Sequence, residues 1–525
     1  MRIRVPWVAM LLFQMMAGFS GVPGLSAAET TLHQGTLETG SFQVPLNATP
    51  GDYLSGTLTV QNSPVSVYQA EPGNPHLREF AKATKGDIRL HLIVENPDTV
   101  LRIEGPPQTE FTLRLQHWGP SETFEQTTTD ELASPRLKAL SRSLSRGSDS
   151  VGFWEETRLT GTPLIEELPE SATGEQLMTF LYRGARDNVR LIGGPSPDHD
   201  WLTQLPGSDV WFRSYRVPSS TRLSYKLAPD VPQIDAAPRA RRIALLATAA
   251  ADPLNRSPWP ANAPDRWSQW STVSLSDAPL QPGFPLAGAM SSDVSSQNFT
   301  SDLLGNTRTL SFYRSPGYDP NDPAALLLFM FDGLKAITQM QVPQMLDTLV
   351  TQGDLPPIAA IFIDPIDHPT RSTELPGNPL FSRFLATELL PIALTHFRLR
   401  HDRQRTVLAG ASFGGIGATN AALDFPDLFG AVISLSGSYW WAPEGWKTAT
   451  GLSYVAQRIV DLTDPPDIRF FIGAGRFETS RNHEADIRET SRQLHAVLSA
   501  RGVPSTWREY SAGHDAFVWR GAFGD

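Results

Sequence analysis

One serine in this sequence is fenced by glycines. The stretch Gly410-Ala411-Ser412-Phe413-Gly414 fits the pattern G-x-S-x-G, follows the apolar run Thr406 to Ala409, and precedes a helix-like run, Gly415 to Leu423. Glycines so placed let a chain turn sharply from strand to helix and leave the serine hydroxyl at the apex, where it can act as a nucleophile. They would also serve a plain strand-to-helix turn. The chemistry therefore depends on finding a base and an acid.

Both are expected after the serine in chain order, as in other hydrolases with this elbow. His495 falls inside a helix-like segment, Glu484 to Leu498, and His483 just precedes it. His514 follows the last strand-like run, Ser505 to Tyr510, in a loop of small residues that can carry an imidazole over a sheet edge. It is the expected general base. The orienting acid should come from the loop Gly473 to Ser480, in which Glu478 is the one carboxylate. Glu484 and Asp486 suit the first turn of the following helix, where acids complement the dipole, and Asp515 is too close in sequence to reach its neighbour's ring. An oxyanion needs two backbone donors. One is expected from Phe413, directly after the serine. The turn Phe331-Asp332-Gly333-Leu334 offers a second at Gly333, although Asp-Gly is equally an ordinary turn signal. His199 and Asp200 have no zinc-type spacing around them, and there is no Walker loop, so neither a metal site nor a cofactor is expected.

These groups need a frame. From about Leu310 onward, continuous apolar runs such as Leu326 to Phe331, Ile358 to Ile363, Ala431 to Leu435 and Ile468 to Ile472 alternate with helix-like segments. Runs apolar on every position suit parallel strands buried on both faces, so an α/β domain with a central, mostly parallel sheet is expected over residues 266–525. Upstream, strands of alternating polarity such as Tyr53 to Val60 and Ile88 to Val94 indicate a β-sandwich over residues 29–130. A second, with runs Gln176 to Arg183 and Val210 to Val217, is placed at 151–265, after a Ser- and Arg-rich stretch, 131–150, read as an exposed linker with room for a short helix.

The 525 residues are enough for about three domains. Forty-four Lys and Arg against 55 Asp and Glu give a net charge of −11, which argues against nucleic acid as a partner. A basic start, an apolar run from Val8 to Phe19 and small residues to Ala28 have the layout of a secretory signal peptide, residues 1–28. Export to a bacterial periplasm is expected, with no later membrane span. The chain has no cysteine, which excludes disulfides and thiolate chemistry.

Several further motifs resemble the enterochelin (enterobactin) esterase family, with its esterase-D-like α/β-hydrolase domain. They are Phe425-Pro426-Asp427-Leu428-Phe429-Gly430, Leu435-Ser436-Gly437-Ser438-Tyr439-Trp440-Trp441, Ile363 to Asp367 with Arg371, Glu374 to Asn378, and Gly513-His514-Asp515-Ala516 with Trp519-Arg520. Gly193-Gly194-Pro195, Asp198 to Trp201 and Leu205 to Trp211 resemble that family's N-terminal sandwich domain. The resemblance implies a serine esterase that hydrolyses the trilactone of catecholate siderophores such as ferric enterobactin. Iron would enter only with the substrate. It also implies that Arg371 lies near the anionic catecholate, and that Trp440 and Trp441 offer flat faces to catechol rings. The chain departs from the family's two-domain branch in its leader and its first sandwich, which resembles small β-domains of secreted peptidases. A general exported carboxylesterase or acyltransferase, or a non-catalytic binder, are the alternatives.

Overall fold

The computed structural model describes residues 29–61, 63–83, 86–118, 131–168, 174–197, 199–234, 236–284, 294–479 and 486–525. The expected leader 1–28 and the residues Asp198, His483 and Glu484 lie outside these. The chain divides into two compact units. One is most of the first sandwich with residues 232–244; the other holds the rest of the second sandwich and the α/β domain.

The first sandwich pairs two four-stranded antiparallel sheets. In its strand Thr109–Trp118 exposure alternates, so Phe111, Leu113 and Leu115 point to one core and their neighbours to the other face. The second sandwich is likewise built from two four-stranded sheets. Its core packs Phe180 edge-on against Tyr225, with ring centroids 4.7 Å apart.

Two boundaries differ from the sequence reading. Within 131–150 the helix Pro135–Leu144 is N-capped by Ser134 and buries Leu137 and Leu140 in a cluster with Trp154, Leu181 and Phe212. The leucines stand three apart on one helical face, while the serines and arginines that suggested a linker occupy the other. The second sandwich also runs beyond residue 265, because Trp270–Ser274 pairs antiparallel with Arg222–Pro229.

The α/β domain is one eight-stranded sheet: β1 (Val294–Ser301), β2 (Asn306–Arg314), β3 (Leu326–Phe331), β4 (Ile358–Ile363), β5 (Thr406–Ala411), β6 (Ala431–Leu435), β7 (Arg469–Gly475) and β8 (Ser505–Tyr510). The spatial order is β1-β2-β4-β3-β5-β6-β7-β8. β1 and β2 are antiparallel additions, and the remaining six strands are parallel. Successive residues of β3 feed opposite faces. Phe329 joins a core with Ile361, Leu408 and Phe384, while Leu328 joins another with Ala360, Ala409 and Trp519. Burial on both faces is why these strands read as unbroken apolar runs. Four helices matter for the site: α1 (Gly333–Thr338), α2 (Phe413–Asp424), α3 (Ile487–Ala500) and α4 (Ala516–Gly524).

A buried ion pair fastens the helix His368–Glu374 to β2. Both Arg308 terminal nitrogens donate to Glu374, at 3.0 and 2.8 Å, and the side chains are 1% and 6% exposed. Removing one partner strands the other charge in the core. Glu374→Ala should therefore cost ~3–5 kcal/mol, read as a lower urea midpoint. Arg308→Met combined with Glu374→Leu should lose clearly less.

Candidate active site

At the end of β5 the chain makes a strained turn. Ser412 has φ 58° and ψ −121°, a conformation that costs a non-glycine residue on the order of 1–3 kcal/mol. Crowding explains the glycines around it. A Cβ on Gly410 would lie 2.5 Å from the Gly414 carbonyl carbon, and one on Gly415 would lie 2.6 Å from Ser434 Oγ. The Ser412 amide still donates to Leu435 O at 2.9 Å, so the elbow is tied to the end of β6. Its side-chain hydroxyl is paired with Ser438 Oγ at 3.3 Å and makes no hydrogen bond to His514 in this state. Such contacts often form only when substrate is bound.

Glu478 follows β7 and His514 follows β8, so both leave the sheet at the same edge as Ser412. His514 Nδ1 is hydrogen-bonded to Glu478 Oε1. The other carboxylate oxygen accepts from Ser436 Oγ at 2.8 Å and from the Gly475 amide at 2.5 Å. Ser436 Oγ in turn accepts from Trp519 Nε1 at 2.8 Å, and the Trp519 ring meets the imidazole edge-on at 4.8 Å. Glu478 is 6% exposed. A carboxylate acceptor assigns the proton to Nδ1 and leaves Nε2 as the basic nitrogen, the tautomer a general base needs.

Phe413 and Gly333 are the first residues of α2 and α1, where amides lack an intrahelical acceptor. Gly333 is required by close approach, since a Cβ there would lie 2.8 Å from the Phe362 carbonyl carbon. Before it, Asp332 takes a left-handed φ of 56°.

The resemblance-derived residues separate. Arg371 makes two hydrogen bonds to Asp332, at 2.5 and 2.7 Å, and reaches Ala411 O at 3.4 Å. Its charge is thus shared with Asp332, and it ties the Gly333 turn to the elbow. Trp440 is 40% exposed, with its ring 6.0 Å from Phe413. Trp441 instead is partly buried against the core, edge-on to Tyr454 and over Gly377. Elsewhere, His495 bonds Ser505 Oγ at 2.9 Å, Asp486 caps α3, and Asp200 accepts from Tyr215. Among the described residues no cluster of His, Asp and Glu could hold a metal ion.

Four residues were given no role by the sequence. Ser436 and Ser438 belong to the motif Leu435 to Trp441, where only small polar residues directly after a buried strand signal them. Lys335 sits 4.6 Å from the Trp519 ring, and burial lowers its pKa. Asp515 caps α4, accepting from Val518 N at 3.0 Å, and also accepts from Ser224 N of the second sandwich at 3.2 Å. Burial pushes its carboxyl up to about 7, against the pull of those amides, and the nearby charge of Glu478 pushes the same way.

A serine elbow, a carboxylate-held imidazole and two free helix-start amides at one edge of an α/β sheet can carry out acyl transfer, and they define a carboxylic ester hydrolase of the α/β-hydrolase kind. Comparison with known proteins narrows this. Residues 301–525 match the family described as "Putative esterase", and residues 177–284 match "Enterochelin esterase, N-terminal". The chain is 30% identical over 413 residues to the iron(III) enterobactin esterase of Dickeya dadantii, covering 71% of this chain and 91% of that one. It is also 30% identical to the iron(III) salmochelin esterase of Escherichia coli O6:H1, over 74% of this chain and 96% of that one. The crystal structure of a Shigella flexneri enterobactin esterase, in the presence of enterobactin, superposes with a TM-score of 0.57 at 27% identity, covering 71% and 96% of the two chains. The chain belongs to the enterochelin esterase family.

Two outcomes are expected. Gly410→Ala should displace Ser412 and lower kcat on a simple aryl ester by ~10²-fold, since about an ångström of misplacement suffices for that. For Asp515, the unfolded chain loses the proton near its ordinary value of 3.8, whereas the folded chain keeps it until about 7. The folded state binds more protons in between, so this group lowers stability as pH rises through that window. The thermal midpoint of Asp515→Asn relative to wild type should therefore be more favourable at pH 8 than at pH 5. An identical difference at both would contradict this.

Proposed function

We propose that this protein hydrolyses the ester bonds of a tricatecholate siderophore trilactone, of the enterobactin and salmochelin type, and so releases its iron. Ser412 Oγ attacks a lactone carbonyl while His514 Nε2 takes its proton. Phe413 N–H and Gly333 N–H receive the developing oxyanion, and Glu478 steadies the imidazolium. Collapse of the tetrahedral intermediate breaks the ester C–O bond, and His514 returns the proton to the leaving serine hydroxyl of the siderophore. Water, deprotonated by the same imidazole, then cleaves the acyl-enzyme and restores Ser412. The iron is cargo, and no resident cofactor takes part.

The observation that carries this reading is the placement of Ser412, Ser436, Glu478 and His514 at the ends of four neighbouring parallel strands. The substrate class is supported by relatives named as iron(III) enterobactin and salmochelin esterases. The exposed ring of Trp440, beside Phe413, is suited to stack on a catechol. The leader-like first 28 residues support cleavage in the periplasm.

The test is incubation of mature protein with ferric and iron-free enterobactin, followed by chromatography of the products, alongside Ser412→Ala. Wild type should yield linear fragments, and the variant should be slower by on the order of 10⁴-fold or more. Cleavage of aryl esters but of neither form of enterobactin would discard the siderophore. Binding with no turnover of any ester would leave a binding protein.

A further inference from the structure

Catalytic loops at a sheet edge are usually surface loops, free on their outer side. Here the two that bear the acid and the base are seated on the second sandwich. Phe477, directly before Glu478, packs against the sandwich core of Phe180, Trp211 and Tyr225. Its amide donates to Ala512 O at 3.0 Å, so the acid loop is bonded to the base loop. The base loop is gripped in turn. Ser511 O accepts from Arg222 N at 3.1 Å, and Ser511 Oγ pairs with Ser220 Oγ at 2.9 Å. Gly513 lies so close beneath the sandwich that a Cβ on it would be 2.7 Å from Gly194 O. Asp515 accepts from Ser224 N at 3.2 Å. His514 is therefore flanked on both sides by residues fixed to another domain.

We propose that the second sandwich is part of the catalytic apparatus: Phe477, Gly513 and Asp515 are positioning residues through which it holds Glu478 and His514 in register. Most of these contacts are made by backbone or by buried groups, so they are unsuited to greeting a substrate and suited to fixing a loop. The benefit is geometric. A base must be held within about half an ångström of its productive position, and a loop anchored only through its own strand has no second constraint. A sandwich that merely widened the binding surface would leave small substrates indifferent to these residues.

The inference rests on the esterase reading, and the experiment separates the two. Gly513→Ala, Phe477→Ala, Asp515→Ala and Asp515→Asn are made in the full chain and checked for folding by thermal unfolding. Each is assayed with an aryl acetate, a substrate far smaller than a siderophore trilactone. The low-field proton resonance of the Glu478-bound imidazole is recorded in parallel. The alanine variants should keep KM within about twofold while kcat falls by ~10²-fold, and their resonance should weaken or vanish. Asp515→Asn, with one acceptor oxygen where the carboxyl has two, can keep only one of the bonds from Ser224 N and Val518 N and should recover only part of kcat. Folded Gly513→Ala and Phe477→Ala proteins with wild-type kcat and an intact resonance would overturn the inference. So would a rise only in KM for the large siderophore. A wild type that cleaves no ester yet shows the resonance, lost on Gly513→Ala, would count against the esterase reading alone and leave the positioning role standing.

Discussion

Parallel pairing of β5, β6, β7 and β8 is the constraint from which the site follows. Strands joined in this way lie about 4.8 Å apart and end on the same side. Whatever leaves their carboxyl ends is brought together without a dedicated device. Here those residues are Ser412, Ser436, Glu478 and His514, in the order of the strands. β5, β6 and β7 are mostly apolar and largely buried, so the core that stabilises the fold also fixes the lateral spacing of the chemistry. What remains for local sequence is the orientation of each side chain. Crowding at Gly410, Gly415 and Gly333 does this for the turns. Hydrogen bonds do it for the carboxylate and the imidazole.

The polar groups beneath the sheet edge form a connected set. Glu478 holds His514 and is held by Ser436, which is held by Trp519, whose ring faces both the imidazole and the Lys335 ammonium. Asp332, directly after β3 on the far side of β5, and Arg371 neutralise each other. Such a network is stiff when every member is satisfied and costly when one is removed. Its members come from segments between Asp332 and Trp519, so it closes only once the sheet has formed.

That explains which residues could be read from the sequence. Ser412 was legible because its glycines answer a local steric demand. His514 and Glu478 were legible because chain order and loop position left few competitors. Ser436, Ser438, Lys335 and Asp515 were not, since each acquires its meaning from a partner distant in sequence. Trp440 and Trp441 are adjacent and identical in type, and no local rule tells the exposed ring from the packed one. The burial of the helix Pro135–Leu144 was hidden for a related reason: its buried face is only Leu137 and Leu140, and its polar face dominates the composition.

The hydrogen bonds between the strand Arg222–Pro229 and the loop around Ser511 and Asp515 bear on how such a chain can be recombined. Similarity divides it into one module at 177–284 and another at 301–525. The hydrogen bonds do not respect that division. A recombination event that joined this hydrolase segment to a foreign sandwich would preserve every residue of the reaction centre and still sever its outer support. The two modules are thus expected to be inherited together, and to vary in concert where the Gly194 carbonyl meets Gly513.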